Sequence, residues 1–360
     1  MSATPARVAA LDTLRAVRGG ALADRALFAA LERVSPRDRP WTQELVYGTL
    51  RLRARIDHML AQLVRQSLER LEPDVLDVLR LGAYQLLEMH GVPAYAAVSQ
   101  SVELAKSVSN PGAARLVNGV LQALRRTQAD LSFPAFETDP VGYLSAWGSH
   151  PRWLVERWIT RFGAGAARAL IESNNRRPDL YLLPLRHSSE EAIERLRNSG
   201  IDARPVETVP GSLHLPSCAP GAPAASAALA ALPSIVQDPA ATLVVRYADA
   251  GARAEHVADL AAAPGGKALA LAAARGHTSL QHVVACDISY DRIQRVRENS
   301  DRVGIPLAIV VADGRRPALR EHAFDLVLLD APCTGTGTFR RHPDGRWRVG
   351  ARDLERLAQL

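Results

Sequence analysis

Four aspartates punctuate the last third of the sequence. Asp259, Asp287, Asp313 and Asp330 each stand at or near the C-terminal end of a short apolar run. In open α/β sheets the carboxyl ends of the strands line the ligand crevice. A single aspartate there would be an ordinary turn residue. Four in succession, with a glycine pair after the first, describe a site. Asp287 closes the run 282–287 and can accept hydrogen bonds from both hydroxyls of a ribose; its structural alternative is a cap on the next helix. Asp313 can face an adenine, its alternative being the turn 312–315. The first run leads into Asp259-Leu-Ala-Ala-Ala-Pro-Gly-Gly-Lys267. Gly265 and Gly266 would let backbone approach a ligand closely just before a helix. The spacing is neither G-x-G-x-x-G nor G-x-x-x-x-G-K-[ST], which argues against a dinucleotide and against a nucleoside triphosphate.

The fourth run ends in Asp330-Ala-Pro-Cys-Thr-Gly-Thr-Gly337. A proline-fixed cysteine beside a carboxylate suggests thiol chemistry on a base. Carbon 5 of cytosine is a poor nucleophile. A thiolate adding at carbon 6 makes carbon 5 enamine-like, able to take a methyl group from the sulfonium of S-adenosylmethionine. A carboxylic acid at the N3 edge would neutralise the charge that builds up. An amine methyltransferase needs no such thiol, and there an aromatic residue often follows the proline, where this chain has Cys333. Cys218 and Cys286 read as structural. Three cysteines without framework or zinc spacing argue for a reducing compartment and no metal.

These residues need a scaffold. From about residue 254, apolar runs at 256–260, 282–287, 307–313 and 324–330 alternate with helical stretches at 266–274 and 291–302. That rhythm predicts a parallel, doubly wound sheet, assigned to 246–360. Residues 1–130 read as all helix. Val8, Leu11, Leu14 and Val17 recur at helical spacing, as do Leu45, Thr49, Leu52, Ile56, Leu60 and Leu63, with further stripes through Leu79 and through Leu116, Val120 and Leu124. Pro40, Pro73, Pro93 and Pro111 sit between stripes, where helices start. A compact helical bundle follows. Residues 131–245 mix a helix at 153–162, a strand at 180–185, a short helix at 190–198 and a strand pair around Pro210-Gly211, predicting a small α+β module. The longest uncharged stretch, 208–237, is interrupted by Pro210, Pro216, Pro220, Pro223 and Pro233 and cannot span a membrane. The N-terminus is amphipathic and unlike a signal peptide, so a cytoplasmic location is expected.

The 360 residues carry a formal charge of +6 and a pI of about 9.6, favouring a polyanionic partner. Only Lys106 and Lys267 are lysines; the other basic residues are arginine. Lysine is a compact point charge whose pKa can move, so Lys267 in the glycine loop is informative.

The stretches Ala-Ala-Pro-Gly-Gly-Lys267 and Asp330-Ala-Pro-Cys-x-Gly-x-Gly337 resemble motifs of the RNA 5-methylcytosine methyltransferases. Arg340-Arg-His-Pro-Asp344 followed by Trp347 extends the likeness. The helical start resembles the NusB-like domain of the bacterial small-subunit rRNA branch, the Sun/Fmu/RsmB type. Leu116-Val-Asn-Gly-Val-Leu121, Ser149-His-Pro-Arg-Trp-Leu154 and Val236-Gln-Asp238 also look like that branch, so the resemblance covers nearly the whole chain. It implies a multidomain protein: an all-α NusB-like bundle, a small α+β module and an α/β Rossmann-like class I methyltransferase domain. It implies that Ala261, Ala262, Ala263, Pro264, Gly265, Gly266 and Lys267, with Asp287, Asp313 and Asp330, bind S-adenosylmethionine. Asp330 would also approach the cytosine, Lys267 would shape the site and Cys333 would help release product RNA. The implied partner is 16S rRNA and the implied state a monomer.

The family's nucleophile is a second cysteine in a Thr-Cys-Ser context further on, and no cysteine follows Cys333 here. Smaller departures are Ala268 where the family often has Thr, Thr334 where it often has Ser, and Gly345. The expectation is therefore that the natural sequence continues beyond Leu360. The apolar strand 324–330 would then be left with an uncovered edge, and 353–360 would form a helix packed on the sheet. The 360 residues alone would be poorly soluble and without turnover. Two alternatives stay open. Cys333 could itself be the nucleophile, as in DNA cytosine-5 methyltransferases, against which stand Thr-Gly-Thr-Gly and the helical N-terminal domain. Or the chain is a non-catalytic RNA-binding protein that kept the fold. The intact aspartate set argues against that, and the missing nucleophile for it.

Overall fold

A computed structural model describes residues 2–216, 225–250, 254–274 and 283–359. Cys218 and His282 lie outside them. Contacts divide the chain into two units, Met1–Arg177 with Thr334–Leu360, and Pro178–Cys333. This division differs from boundaries at 130 and 245. Helices in the range 140–175 go with the N-terminal bundle, and the chain returns to it after Cys333.

The first unit begins with α1 (Pro5–Arg18), α2 (Ala23–Leu31), α3 (Arg39–Arg51), α4 (Arg53–Ala61), α5 (Pro73–Glu88), α6 (Ala94–Val108) and α7 (Pro111–Thr127). Pro5, Pro40, Pro73 and Pro111 occupy the first turns of their helices, where a fixed φ and a missing N–H do no harm. Pro93 is one step earlier, as the N-cap of α6. Asn110 caps α7, its side chain accepting from Gly112 N at 2.8 Å and Ala113 N at 3.1 Å. The apolar stripes meet in one core containing Leu11, Leu45, Ile56, Leu60, Leu79 and Leu121. The stripe 45–63 is not one helix. It breaks at Leu52, φ −102° and ψ 16°. There Ser149 Oγ accepts from Ala54 N at 3.1 Å, so a residue far along the chain takes over one of the N–H groups freed at the start of α4. Helices α8 (Pro140–Ala146), α9 (Arg152–Phe162) and α10 (Ala164–Asn175) build a second core around Leu154, Val155 and Ile171.

The second unit holds two sheets. Strands β1 (Leu180–Pro184), β2 (Arg204–Pro205), β3 (Leu213–Leu215) and β4 (Ser234–Val236) form an antiparallel sheet in the order β2-β3-β1-β4. Helix α11 (Ser189–Asn198) follows β1 and opens on a capping box between Ser188 and Glu191, a sequence-local start signal. Helices α12 (Ala225–Ala231) and α13 (Pro239–Ala250) flank β4 in sequence. Then come β5 (Val257–Asp259), α14 (Gly266–Ala274), β6 (Val283–Asp287), α15 (Tyr290–Val303), β7 (Ala308–Val311) and β8 (Leu326–Leu328). These strands are all parallel, in the order β7-β6-β5-β8. The chain steps from β5 outward to β7 and crosses back to the far side of β5. The order reverses there, the topology that opens a crevice at the strands' carboxyl ends. The core under the sheet is aliphatic, with Val257, Leu269, Leu271, Val283, Ile293 and Val296.

The fourth run is half-buried. β8 is the edge of its sheet, and Val327 and Leu329 are exposed. Beyond it, α16 (Gly345–Arg348) and α17 (Ala351–Ala358) belong to the helical unit. A helix forms there over Ala351–Ala358, with Leu360 outside the described residues; it goes with the helical unit and not with the sheet, and it buries none of its described residues. The reason lies just upstream. Arg346 is 1% exposed. Its guanidinium donates to the carbonyls of Arg51 at 3.0 Å, Ser149 at 3.3 Å and Asn174 at 2.6 Å, and to Asn175 Oδ1 at 2.7 Å. Arg51 and Asn174 lie at the C-terminal ends of α3 and α10, where carbonyls lack helical partners and the helix dipole favours a cation. Burial still pushes its pKa down, to about 9. Trp347 adds an indole N–H to Leu50 O at 2.7 Å.

Candidate active site

The carboxyl ends of β5, β6 and β8 bring the sequence-predicted residues together. Asp259 and Asp287 are the last residues of β5 and β6. Asp313 and Asp330 lie two residues beyond β7 and β8. The loop after β5 is stapled to the end of β6. Ala261 N donates to Asp259 Oδ1 at 3.3 Å, Ala262 N to Cys286 O at 2.7 Å, and Ala263 N to Asp287 Oδ2 at 3.3 Å. Asn299 Nδ2 on α15 donates to Pro264 O at 3.0 Å.

The protein's own residues lie close to both glycines. Gly265 has φ +101°, and a Cβ there would lie 3.1 Å from Val296 Cγ1 and 3.3 Å from Val296 Cα. At Gly266 a Cβ would lie 2.8 Å from Gln237 Oε1. Gly265 needs glycine because of its φ and because Val296 presses against it, whereas the neighbour at Gly266 is the far end of the Gln237 side chain. Gln237, singled out in the sequence only by resemblance, is buried and donates to Thr242 Oγ1 at 3.1 Å.

Lys267, in the first turn of α14, donates to Asp330 Oδ2 at 2.5 Å. The lysine is three-quarters buried and the carboxylate mostly exposed, a short charge-assisted bond that presents Asp330's other oxygen outward. Asp259 is 1% exposed. Burial raises its pKa to about 6, with Asp330 and Asp287 raising it further and Ala261 N–H and Lys267 opposing. Its run position gave no sign of that.

Asp287 is buried, and its carboxylate is already engaged. Oδ1 accepts from Ser289 N at 3.0 Å; Oδ2 accepts from Ala263 N and pairs with the half-exposed Arg292 at 3.0 Å. The cap of α15 is Ser289, not Asp287. Arg292 escaped the sequence reading because nothing local marks one arginine among so many. Asp313 stands apart from this cluster. Arg315 grips both its oxygens, at 2.7 Å for the closest, and donates its backbone N–H at 3.0 Å. The Arg315 side chain, and then that N–H, hold the Asp313 carboxyl down at about 2. The turn role weighed for Asp313 is therefore present in the structure. Cys333 is exposed, three residues beyond Asp330; Cys286 is buried, and burial pushes its thiol up, away from the reactive thiolate.

A parallel sheet with acids and one lysine at its switch point, in one chain with a helical bundle, is a Rossmann-like ligand-binding arrangement joined to a helical domain. Residues 4–126 match the NusB family, residues 150–220 the RsmF/B-like ferredoxin-like domain and residues 249–360 the 16S rRNA methyltransferase RsmB/F family. The chain is 33% identical over 339 residues to ribosomal RNA small subunit methyltransferase B of Shigella sonnei (strain Ss046), covering 91% of this chain and 74% of that one. The crystal structure of PH0851 matches with a TM-score of 0.75 at 23% identity, over all of this chain and 81% of the other. That of NSun6 from Pyrococcus horikoshii with SFG matches with a TM-score of 0.50 at 19% identity, over 58% of this chain and 77% of the other; both likenesses concern the fold. The chain belongs to the Sun/RsmB-type family of rRNA small-subunit methyltransferases, and it is an rRNA methyltransferase by that membership. Among the described residues no helix is long and apolar enough to cross a membrane.

Proposed function

We propose that the protein methylates carbon 5 of a cytosine in 16S rRNA with S-adenosylmethionine as donor. The observation that carries this reading is the Lys267–Asp330 pair at 2.5 Å, beside the buried carboxyls of Asp259 and Asp287. S-adenosylmethionine supplies the electrophilic methyl group when bound. The donor set fits it. A carboxylate offers about four lone-pair positions, and Asp287 uses three on Ser289, Ala263 and Arg292. One acceptor position remains for a ribose hydroxyl, and a second opens if the half-exposed Arg292 turns away. Asp259, Asp287 and Asp330 against Lys267 and Arg292 leave an excess of negative charge for a sulfonium. The 261–267 loop forms the wall, and Asp313 lies past the end of the neighbouring strand, where an adenine would extend.

On the substrate side, Lys267 orients Asp330 so that its outward oxygen meets the N3 edge of the cytosine. Proton donation at N3, as carbon 6 accepts the thiolate of the family's Thr-Cys-Ser cysteine, would neutralise the charge that develops, and the Lys267–Asp330 pair would stand at that edge. Cys333, on the same segment, takes the role of the family's product-releasing thiol. The test is methyl transfer by the full chain to 16S rRNA, followed by mass spectrometry of the nucleosides. The expected product is 5-methylcytidine, formed when the chain is extended through the family's Thr-Cys-Ser segment, which supplies the thiolate, and lost in the Asp330→Asn variant of that chain. Label on a nitrogen of cytosine, or on another base, would refute the reading.

A further inference from the structure

The helical unit contains a cavity of about 580 Å³ that the methyl-transfer site does not use. Its wall holds Arg18 from α1, Thr49 from α3, Arg53 from α4, Arg80 from α5, and Trp347 and Arg348 from α16. Three of these arginines are tied to acids. Arg80 forks onto Asp57 at 2.7 and 2.8 Å and reaches Asp77 at 2.8 Å. Arg18 binds Asp74 at 2.6 Å and also Asp77. Arg348 Nε binds Asp344 at 3.0 Å. Arg18 and Arg348 nonetheless keep unused N–H groups, since a guanidinium has five.

Arg53 differs. Its nearest carboxylate, Asp57, is 3.9 Å away, beyond hydrogen-bond range. Its guanidinium lies 5.3 Å from the centre of the Trp347 ring, and that ring is fixed by the bond to Leu50 O. Thr49, in the same wall, is 1% exposed, and its hydroxyl has no hydrogen-bond partner among the described residues. A flat cation held on a fixed indole, flanked by arginines with spare donors, has the parts that bind a nucleotide. Unpaired bases stack on guanidinium and aromatic planes, and phosphates take arginine N–H groups. The volume falls within the roughly 300–1,000 Å³ of small-ligand sites, enough for a nucleotide and too small for a duplex.

We propose that this cavity receives one unpaired nucleotide of the rRNA substrate, its base against Arg53 and Trp347 and its phosphate toward Arg18 and Arg348. The proposal rests on the reading of the protein as an enzyme acting on RNA. A free mononucleotide offers the same chemistry, and cytidine monophosphate is the probe that separates the two sources.

The experiment is filter binding of the full chain to a 16S rRNA fragment over a range of salt. Arg53→Gln should weaken binding by about tenfold, as loss of one stacked base does. Arg348→Gln should lower the slope of log affinity against log salt by about 0.7, one single-strand phosphate contact. Arg53→Lys keeps the charge and loses the plane. It should keep the parent's slope while losing most of the affinity, a split that a merely structural arginine would not give. RNA binding by all variants equal to the parent's overturns the cavity and leaves the methyltransferase reading standing. Micromolar binding of cytidine monophosphate, with RNA affinity unchanged in Arg53→Gln, assigns the cavity to a free nucleotide and also overturns the proposal. Absence of RNA binding by the parent removes both readings.

Discussion

Replacing Asp259 by asparagine should stabilise the sheet unit, and only above a definite pH. The fold holds this carboxyl 1% exposed and raises its pKa from 3.8 to about 6, mainly by burial. A difference of about two pKa units corresponds to about 3 kcal/mol. The folded protein holds the proton more tightly than the unfolded chain does. Stability therefore falls as pH rises from about 3.8 to about 6, and the full penalty is present above that interval. Asparagine keeps an oxygen for Ala261 N–H and has no charge to desolvate. It should gain about 2–3 kcal/mol over the parent at pH 8 and almost nothing at pH 4. The assay can be made specific to one unit. Trp41, Trp147, Trp153, Trp158 and Trp347 all lie in the helical unit, so tryptophan fluorescence is the internal control. Hydrogen exchange of peptides carrying β5 and β6, followed through urea unfolding, is the readout. A parent–variant difference that is the same at pH 4 and pH 8, or one carried by the tryptophan signal, would refute the reasoning.

Other substitutions test other parts of the molecule. Asp287→Ala removes the proposed ribose acceptor and should weaken S-adenosylmethionine binding by about 1–3 kcal/mol; calorimetry giving the parent's affinity would remove that assignment. Gly265→Ala forces a side chain to φ +101° and to 3.1 Å from Val296 Cγ1, and should cost about 1–3 kcal/mol, read by the same exchange measurement. Arg346→Met leaves the carbonyls of Arg51, Ser149 and Asn174 without their donor. It should lower the stability of the helical unit by about 1–3 kcal/mol for the buried acceptors left unsatisfied, seen as an earlier tryptophan transition in urea while β5 and β6 are unaffected.

Much of the protein was legible in the sequence because the signals are local. Apolar spacing with a proline in the first turn marks α5 and α7, and Ser188 with Glu191 marks the start of α11. Asp259 and Asp287 fall at strand ends, where the chain turns and a carboxylate can accept the N–H groups of the following loop. The motifs around Lys267 and Asp330 carried the family. Other features depend on which surfaces meet, and no window of sequence contains that. The break at Leu52 shares its surroundings with Ser149, and Arg346 draws the last segment to the helical unit through carbonyls from three distant places. Gly265 is glycine because of Val296. Lys267 and Asp330 are 63 residues apart and become one pair only when β8 crosses to the side of β5 away from β6. The pKa of Asp259 is likewise a product of burial. Residue type sets whether a group can ionise, but the water removed and the charges brought near it set when it does, and both are decided by the tertiary structure.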